Sequence, residues 1–166
     1  MAETSRVVVG VSGSTRNAAV LRRAVDEATR LRAVLVPVIA WTPVGGGRVH
    51  PCPSLAALWQ QAARTRLDDA FADTLGGYPT GLRIDPVVIR DEAGPALVRI
   101  ADQPGDMLVV GAGRRGPLQR LVHGAVSRYC VARALCTVIA VPDCPVDSVG
   151  ASPAHEGDDS SRLIAA

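Results

Sequence analysis

The residues best suited to chemistry lie between Met107 and Ser127, in MLVVGAGRRGPLQRLVHGAVS. An apolar run leads into a glycine-marked loop carrying Arg114, Arg115 and Arg120, and Gly124 then opens a helix bearing Ser127 and Arg128. Backbone N–H groups of such a loop and the positive end of a helix dipole converge on one place, which suits a phosphate. The same residues also fit tight turns at Gly111 and Gly124 with a solvated basic loop between them and no ligand. Elsewhere the reactive residue types do not gather. His50, His123 and His155 share no ligand spacing, so no metal site is expected. Cys52, Cys130, Cys136 and Cys144 lack close C-x-x-C spacing and read as buried or incidental thiols. Ser12, Ser14 and Ser127 lie in no G-x-S-x-G elbow. Asp91 and Glu92 precede Pro95 and read as helix-start residues, while Trp41 and Trp59 read as packing.

These residues need a scaffold, and the composition bounds it. At 166 residues the chain amounts to one domain, with 48% apolar residues and only 3% aromatic ones, so Val, Leu, Ile and Ala must form the core. The net charge of +2 argues against general nucleic-acid binding. All 18 basic residues are arginine, which excludes a lysine Schiff base and the lysine of a Walker-type phosphate loop. No apolar run is long enough for a membrane span, and the opening residues show no signal-peptide pattern, so a cytoplasmic location is expected.

Apolar runs at Arg6–Val11, Val34–Trp41, Arg83–Arg90, Asp106–Val110 and Thr137–Val141 read as strands, the second locally irregular at Pro37. Between them, helical periodicity predicts helices from about Ala18 to Leu31, Leu55 to Leu75, Pro95 to Asp102 and Ala125 to Ala134. Ser14 or Thr15 is placed to cap the first, and Gly76 and Gly77 to end the second. In the second helix the apolar positions are Leu58, Ala62, Leu67, Ala70, Phe71 and Leu75. Thr42–Ser54, dense in Gly and Pro, must be loop. Strands alternating with helices predict an α/β parallel sheet with helices on both faces. A ligand then sits beyond the carboxyl ends of the strands, where Ser12 and Gly111 both fall. Residues 1–145 read as the domain and 146–166, rich in Pro, Ser, Asp and Gly, as a disordered tail.

Over about Arg6 to Pro142 the chain resembles the universal stress protein family. VVVGVSGSTRNAAVLRRAVDEATRLRAVLVPVIAW is similar to the family's first strand, helix and second strand, and VVIRDEAGPALVRIADQPGDMLVVG to its third strand, short helix and fourth strand. VVGAGRRGPLQRLVHGAVSRYCVARALCTVIAVP is similar to its glycine loop, fourth helix and last strand. The resemblance implies a five-stranded parallel open sheet of order 3-2-1-4-5, and a homodimer formed through the edge strand Thr137–Val141.

Nucleotide-binding members of the family carry glycine, two residues, glycine, nine residues, glycine, then Ser or Thr. Here Gly111 and Gly124 match, but the second glycine falls on Arg114 and the hydroxyl residue on Ala125, while the aspartate that ends the first strand falls on Ser12. By resemblance, Gly111, Gly113, Arg114, Gly124, Ala125, Val126 and Ser127 surround the phosphates, Ser12 the ribose, and the Ala40 backbone the adenine edge. Arg114 offers a charged fork in place of close backbone approach. Ala125 lacks one donor, worth roughly 0.5–1.5 kcal/mol. Together the losses lower affinity by roughly one to a few powers of ten. The chain is therefore expected to be a non-catalytic interaction or regulatory module with weak or absent ATP binding. The alternative is a sensor that holds ATP or AMP, with Mg²⁺, at the Gly111–Ser127 loop. An ATPase is not expected, because no general base or metal carboxylate is legible.

Overall fold

Five parallel strands form one sheet in the order β3-β2-β1-β4-β5 in the computed structural model, which describes residues 5–12, 18–112 and 125–142. The elements are β1 (Arg6–Gly10), α1 (Ala18–Leu31), β2 (Val34–Trp41), α2 (Pro53–Leu75), β3 (Val87–Arg90), α3 (Ala93–Ile100), β4 (Met107–Gly111), α4 (Ala125–Arg133) and β5 (Thr137–Val141). Side chains of a strand alternate between faces, so β1 feeds two cores. Val7 and Val9 pack with Leu21, Ala24 and Ala28 of α1 and Leu67 and Phe71 of α2. Val8 packs on the other face with Leu97 and Ala101 around α3 and Cys130 of α4. Each buried Val or Leu contributes about 1.5–3 kcal/mol of transfer free energy, so a nearly Phe-free core suffices at this size.

β2 is continuous through Pro37 and pairs in register Val9↔Pro37 with β1, while the irregularity expected there falls on its ladder with β3. The reason lies on its other side. Leu35 uses both its N–H and its C=O toward the β3 segment, accepting from Asp85 N–H at 2.9 Å and donating to Arg83 at 2.9 Å. In a parallel strand the residue two further on faces the same way, so Pro37 lacks its N–H only toward β3. There the ladder is already interrupted, between the bridge Leu35↔Ile84 and the first full rung Val38↔Val87. By the same register Pro86 lies opposite Pro37, with its own nitrogen toward the open edge, where proline is tolerated. Consequently β3 begins at Val87, not Arg83.

In α2 the buried stripe is Ala63, Leu67 and Phe71, with Trp59 half-buried ahead of it. Leu58 is 64% exposed, so the first half of the expected face is displaced by one residue. Gly76 ends this helix in the left-handed region (φ 75°), its N–H bonding Ala72 O and the next N–H bonding Phe71 O, a Schellman-type closure that an L side chain would strain. In α1 the charged Glu27 is buried between Arg23 (2.7 Å) and Arg30 (2.6 Å), and the bond from Arg30 holds its carboxyl below the usual carboxylate range. At the amino edge of the sheet, Arg6 clamps β1 to its neighbours. It bonds Asp106, just before β4, at 2.6 and 3.0 Å, Asp102 at 2.8 Å and the Ile100 carbonyl of α3 at 3.1 Å.

Candidate functional site

The carboxyl edge of the sheet is notched at its centre. The β1–β4 ladder ends at Val9↔Val109, whereas β2–β3 runs on to Trp41↔Arg90 and β4–β5 to Gly111↔Val141. The strands separate there because their helices leave toward opposite faces: α1 joins the core of α2, α4 that of α3. A sheet of order 3-2-1-4-5 has its switch point at this notch, where a ligand finds a crevice without distorting any ladder.

Ser12, two residues past β1, is exposed at one wall. Across from it in β2 is Ala40, one register step beyond Gly10↔Val38. Val38 receives the Val11 N–H at 2.9 Å, so Val38 faces β1, and Ala40, two residues on, presents its peptide groups the same way, toward Ser12. Gly111 closes β4 on the opposite wall and is exposed, followed by Ala112, whose N–H reaches Val141 O at 2.7 Å. Among the described residues, a β-carbon at Gly111 would meet only Val20, at 3.5 Å, an ordinary contact. The packing of the described residues therefore does not require glycine there.

The first turn of α4 separates its residues by face. Ala125 and Val126 are exposed, whereas Ser127 is 7% exposed and lies on the same inner face as the buried Cys130. Ser127 is thus a hydroxyl held at the inner side of a helix start, while the Val126 side chain is exposed. Gly113, Arg114 and Gly124, with Arg115, Arg120, His123 and the tail at 146–166, lie outside the described residues, as do the expected caps Ser14 and Thr15. Of the nine expected site residues the structure brings Ser12, Ala40, Gly111, Ala125, Val126 and Ser127 to one edge of the sheet.

The rim beside Ala40 is built from packing residues. Trp41 is 7% exposed and meets Trp59 edge-to-face at 6.3 Å, which agrees with a packing role. The Arg90 guanidinium lies 5.9 Å from the Trp41 ring centre and donates to the Val49 carbonyl at 2.6 Å, tying the loop at 42–52 to the sheet. Beyond β3, Asp91 pairs with Arg99 at 2.8 Å and accepts the Glu92 N–H at 2.8 Å. Glu92 is the N-cap of α3, so both acids serve the helix start as expected.

Residues 3–142 match the family described as the universal stress protein family. The chain belongs to that family. A universal stress protein of Mycobacterium tuberculosis is 31% identical over 137 residues, covering 80% of this chain and 43% of the relative. The chain therefore spans less than half the length of that family member. Among solved structures, a universal stress protein in complex with cAMP is 25% identical, covers 85% of this chain and 98% of its own, and superposes with a TM-score of 0.56. The family member from Archaeoglobus fulgidus in complex with dAMP, 21% identical with a TM-score of 0.53 over 85% of this chain and 99% of its own, shares the fold.

Three features of the site escaped the sequence reading. Gly10 and Gly94 make close contacts with Leu97 and Tyr129, and Arg90 reaches across to Val49. Only a glycine at a strand end or in a helix could have pointed to the first two, and glycine alone does not name its neighbour.

Proposed function

We propose that this chain is a non-catalytic regulatory member of its family whose central crevice binds an adenine nucleotide weakly. The observation carrying this reading is the asymmetric furnishing of the notch. The backbone positions for an adenine edge and a phosphate stand at Ala40, Gly111 and the start of α4, and Ser127 supplies a buried hydroxyl. Two side chains that strengthen such a site are reduced, Ser12 having no carboxylate and Ala125 no hydroxyl. The solved relative that holds cAMP supports an adenine nucleotide as the ligand class. The residues present fit a nucleotide bound mainly through backbone groups. Among the described residues no three His, Cys, Asp or Glu side chains gather to hold a metal, so any Mg²⁺ would arrive on the phosphates of ATP. Asp91, the first residue after β3, is paired with Arg99 at 2.8 Å.

Calorimetric titration with ATP, AMP and cAMP tests this. Saturable binding weaker than about 100 µM is expected, about 5.5 kcal/mol. Ser12→Asp combined with Ala125→Ser should tighten it by roughly tenfold or more. Flat heats for both proteins to millimolar nucleotide would leave a module acting through partners alone. ATP turnover abolished by one crevice substitution would replace the reading with an enzyme. A second copy, paired along the open edge of β5, completes the proposed assembly.

A further inference from the structure

α3 supplies no residue to the crevice, yet it touches the segments that carry both walls. On its inner face Leu97 fills the space above Gly10, where an added β-carbon would lie 2.9 Å from Leu97 Cδ1. Leu97 is 2% exposed. Gly10 precedes Ser12 by two residues. One turn earlier in α3, Gly94 is buried against the Tyr129 ring of α4. A β-carbon there would lie 3.0, 3.1 and 3.2 Å from Tyr129 Cδ1, Cγ and Cβ. Tyr129 follows Ser127 by two residues, and the Arg133 guanidinium lies 5.5 Å from its ring centre. The contact therefore involves the root of the ring as well as its edge. A methyl at Gly94 must be met by a shift of a few tenths of an ångström, and the contact with Tyr129 Cβ directs it to the α4 backbone as well as to the ring.

Resting on the nucleotide reading above, we propose that Gly94 is a positioning residue: the notch it leaves for Tyr129 sets where the first turn of α4 stands relative to β1. Leu97 on Gly10 fixes α3 to the Ser12 wall, Gly94 under Tyr129 fixes α4 to α3, and the distance from Ser12 to Ser127 follows. Enlarging Gly94 displaces the phosphate end of the site and leaves the Ala40 end in place.

The test is Gly94→Ala, alone and with Tyr129→Ala, read by titration with ATP and adenosine and by the backbone amide resonances of Val126, Ser127 and Ala40. In Gly94→Ala, ATP affinity falls roughly three- to tenfold while adenosine affinity holds. The Val126 and Ser127 amides shift and the Ala40 amide does not. On the Tyr129→Ala background, where Cδ1 and Cγ are gone and only the Cβ contact at 3.2 Å remains, adding Gly94→Ala has a clearly smaller effect on affinity and resonances. Equal losses for ATP and adenosine, unmoved α4 amides, or an undiminished effect without the ring would each overturn the proposal. Should Gly94→Ala alone fail to fold, a folded double variant supports the notch and an unfolded one overturns it. If the natural protein binds neither ligand, the nucleotide reading fails by itself, and the amide shifts with their rescue still decide whether Gly94 positions α4.

Discussion

Cys52, Cys130 and Cys136 have the same side chain in three different settings. Cys52 is exposed at the N-cap of α2, and a hydrogen bond shared with Ser54 at 3.3 Å, with backbone bonds from the helix start, draws its thiol below the ordinary value. Burial pushes Cys130 up to about 11, and burial likewise raises Cys136. The thiolate is the reactive form, so in a Cys144→Ser background iodoacetamide at neutral pH should label Cys52 first and Cys136 slowly. Cys130 should label only on unfolding. Mass spectrometry of timed digests checks this, and labelling of Cys130 ahead of Cys52 in the native protein would contradict it. Spacing could show that the cysteines form no close pair. It could not show that one of them caps a helix in the open, because exposure is decided by the neighbours a fold brings. Ser127 was legible for the opposite reason: its offset from Gly124 places it on the first helical turn whatever surrounds it.

At the level of elements, the five apolar runs were legible because a strand covered on both faces is a continuous hydrophobic segment. The start of β3 and the inner face of α2 were not. Arg83–Pro86 has the composition of a strand but meets Pro37 across the ladder, and Leu58 and Ala62 fit a helical stripe as well as Trp59 and Ala63 do. In both cases a residue distant in sequence makes the choice. β5 offers a sharper use of the same parallel-strand rule. Val141 turns its carbonyl to Ala112 in the loop after β4, so Thr137 and Ile139 face β4 as well, while Val138 and Ala140 turn their peptide groups to the open edge. Ala140→Pro therefore removes one outward N–H and no bond to β4. If two copies pair through this edge, the substitution should shift the protein to monomer in light scattering with little change in melting temperature. Dimers that persist unchanged would place the contact elsewhere.

For the whole molecule, the buried thiol links stability to alkaline pH. The Cys130 thiol, ordinarily at 9.0, is raised to about 11 in the fold, so the native state holds its proton where the unfolded chain has released it. At pH 10 the native state binds more protons than the unfolded one, and stability must fall as pH rises. The contribution is intact below about pH 9 and is lost between there and about 11. It amounts to roughly 1–2 kcal/mol, somewhat under the full conversion of about 1.36 kcal/mol per pKa unit. Tyr78, stacked on Phe71 and bonded to Asp68 at 2.6 Å, is raised to about 12, chiefly by burial, and steepens the fall above pH 10. Urea unfolding at pH 8 and 10.5 measures the loss, and Cys130→Ala should flatten it; an equal slope in that variant would remove the thiol as its cause. Another whole-molecule property follows from the edge-to-face contact of Trp41 with Trp59. The chain has only these two indoles, so its entire tryptophan fluorescence originates from one coupled pair, one peptide bond from Ala40 and under the Arg90 cation. Tryptophan emission of the unlabelled protein thus reports on the Ala40 side of the notch, and the side formed by Gly111 and α4 carries no indole.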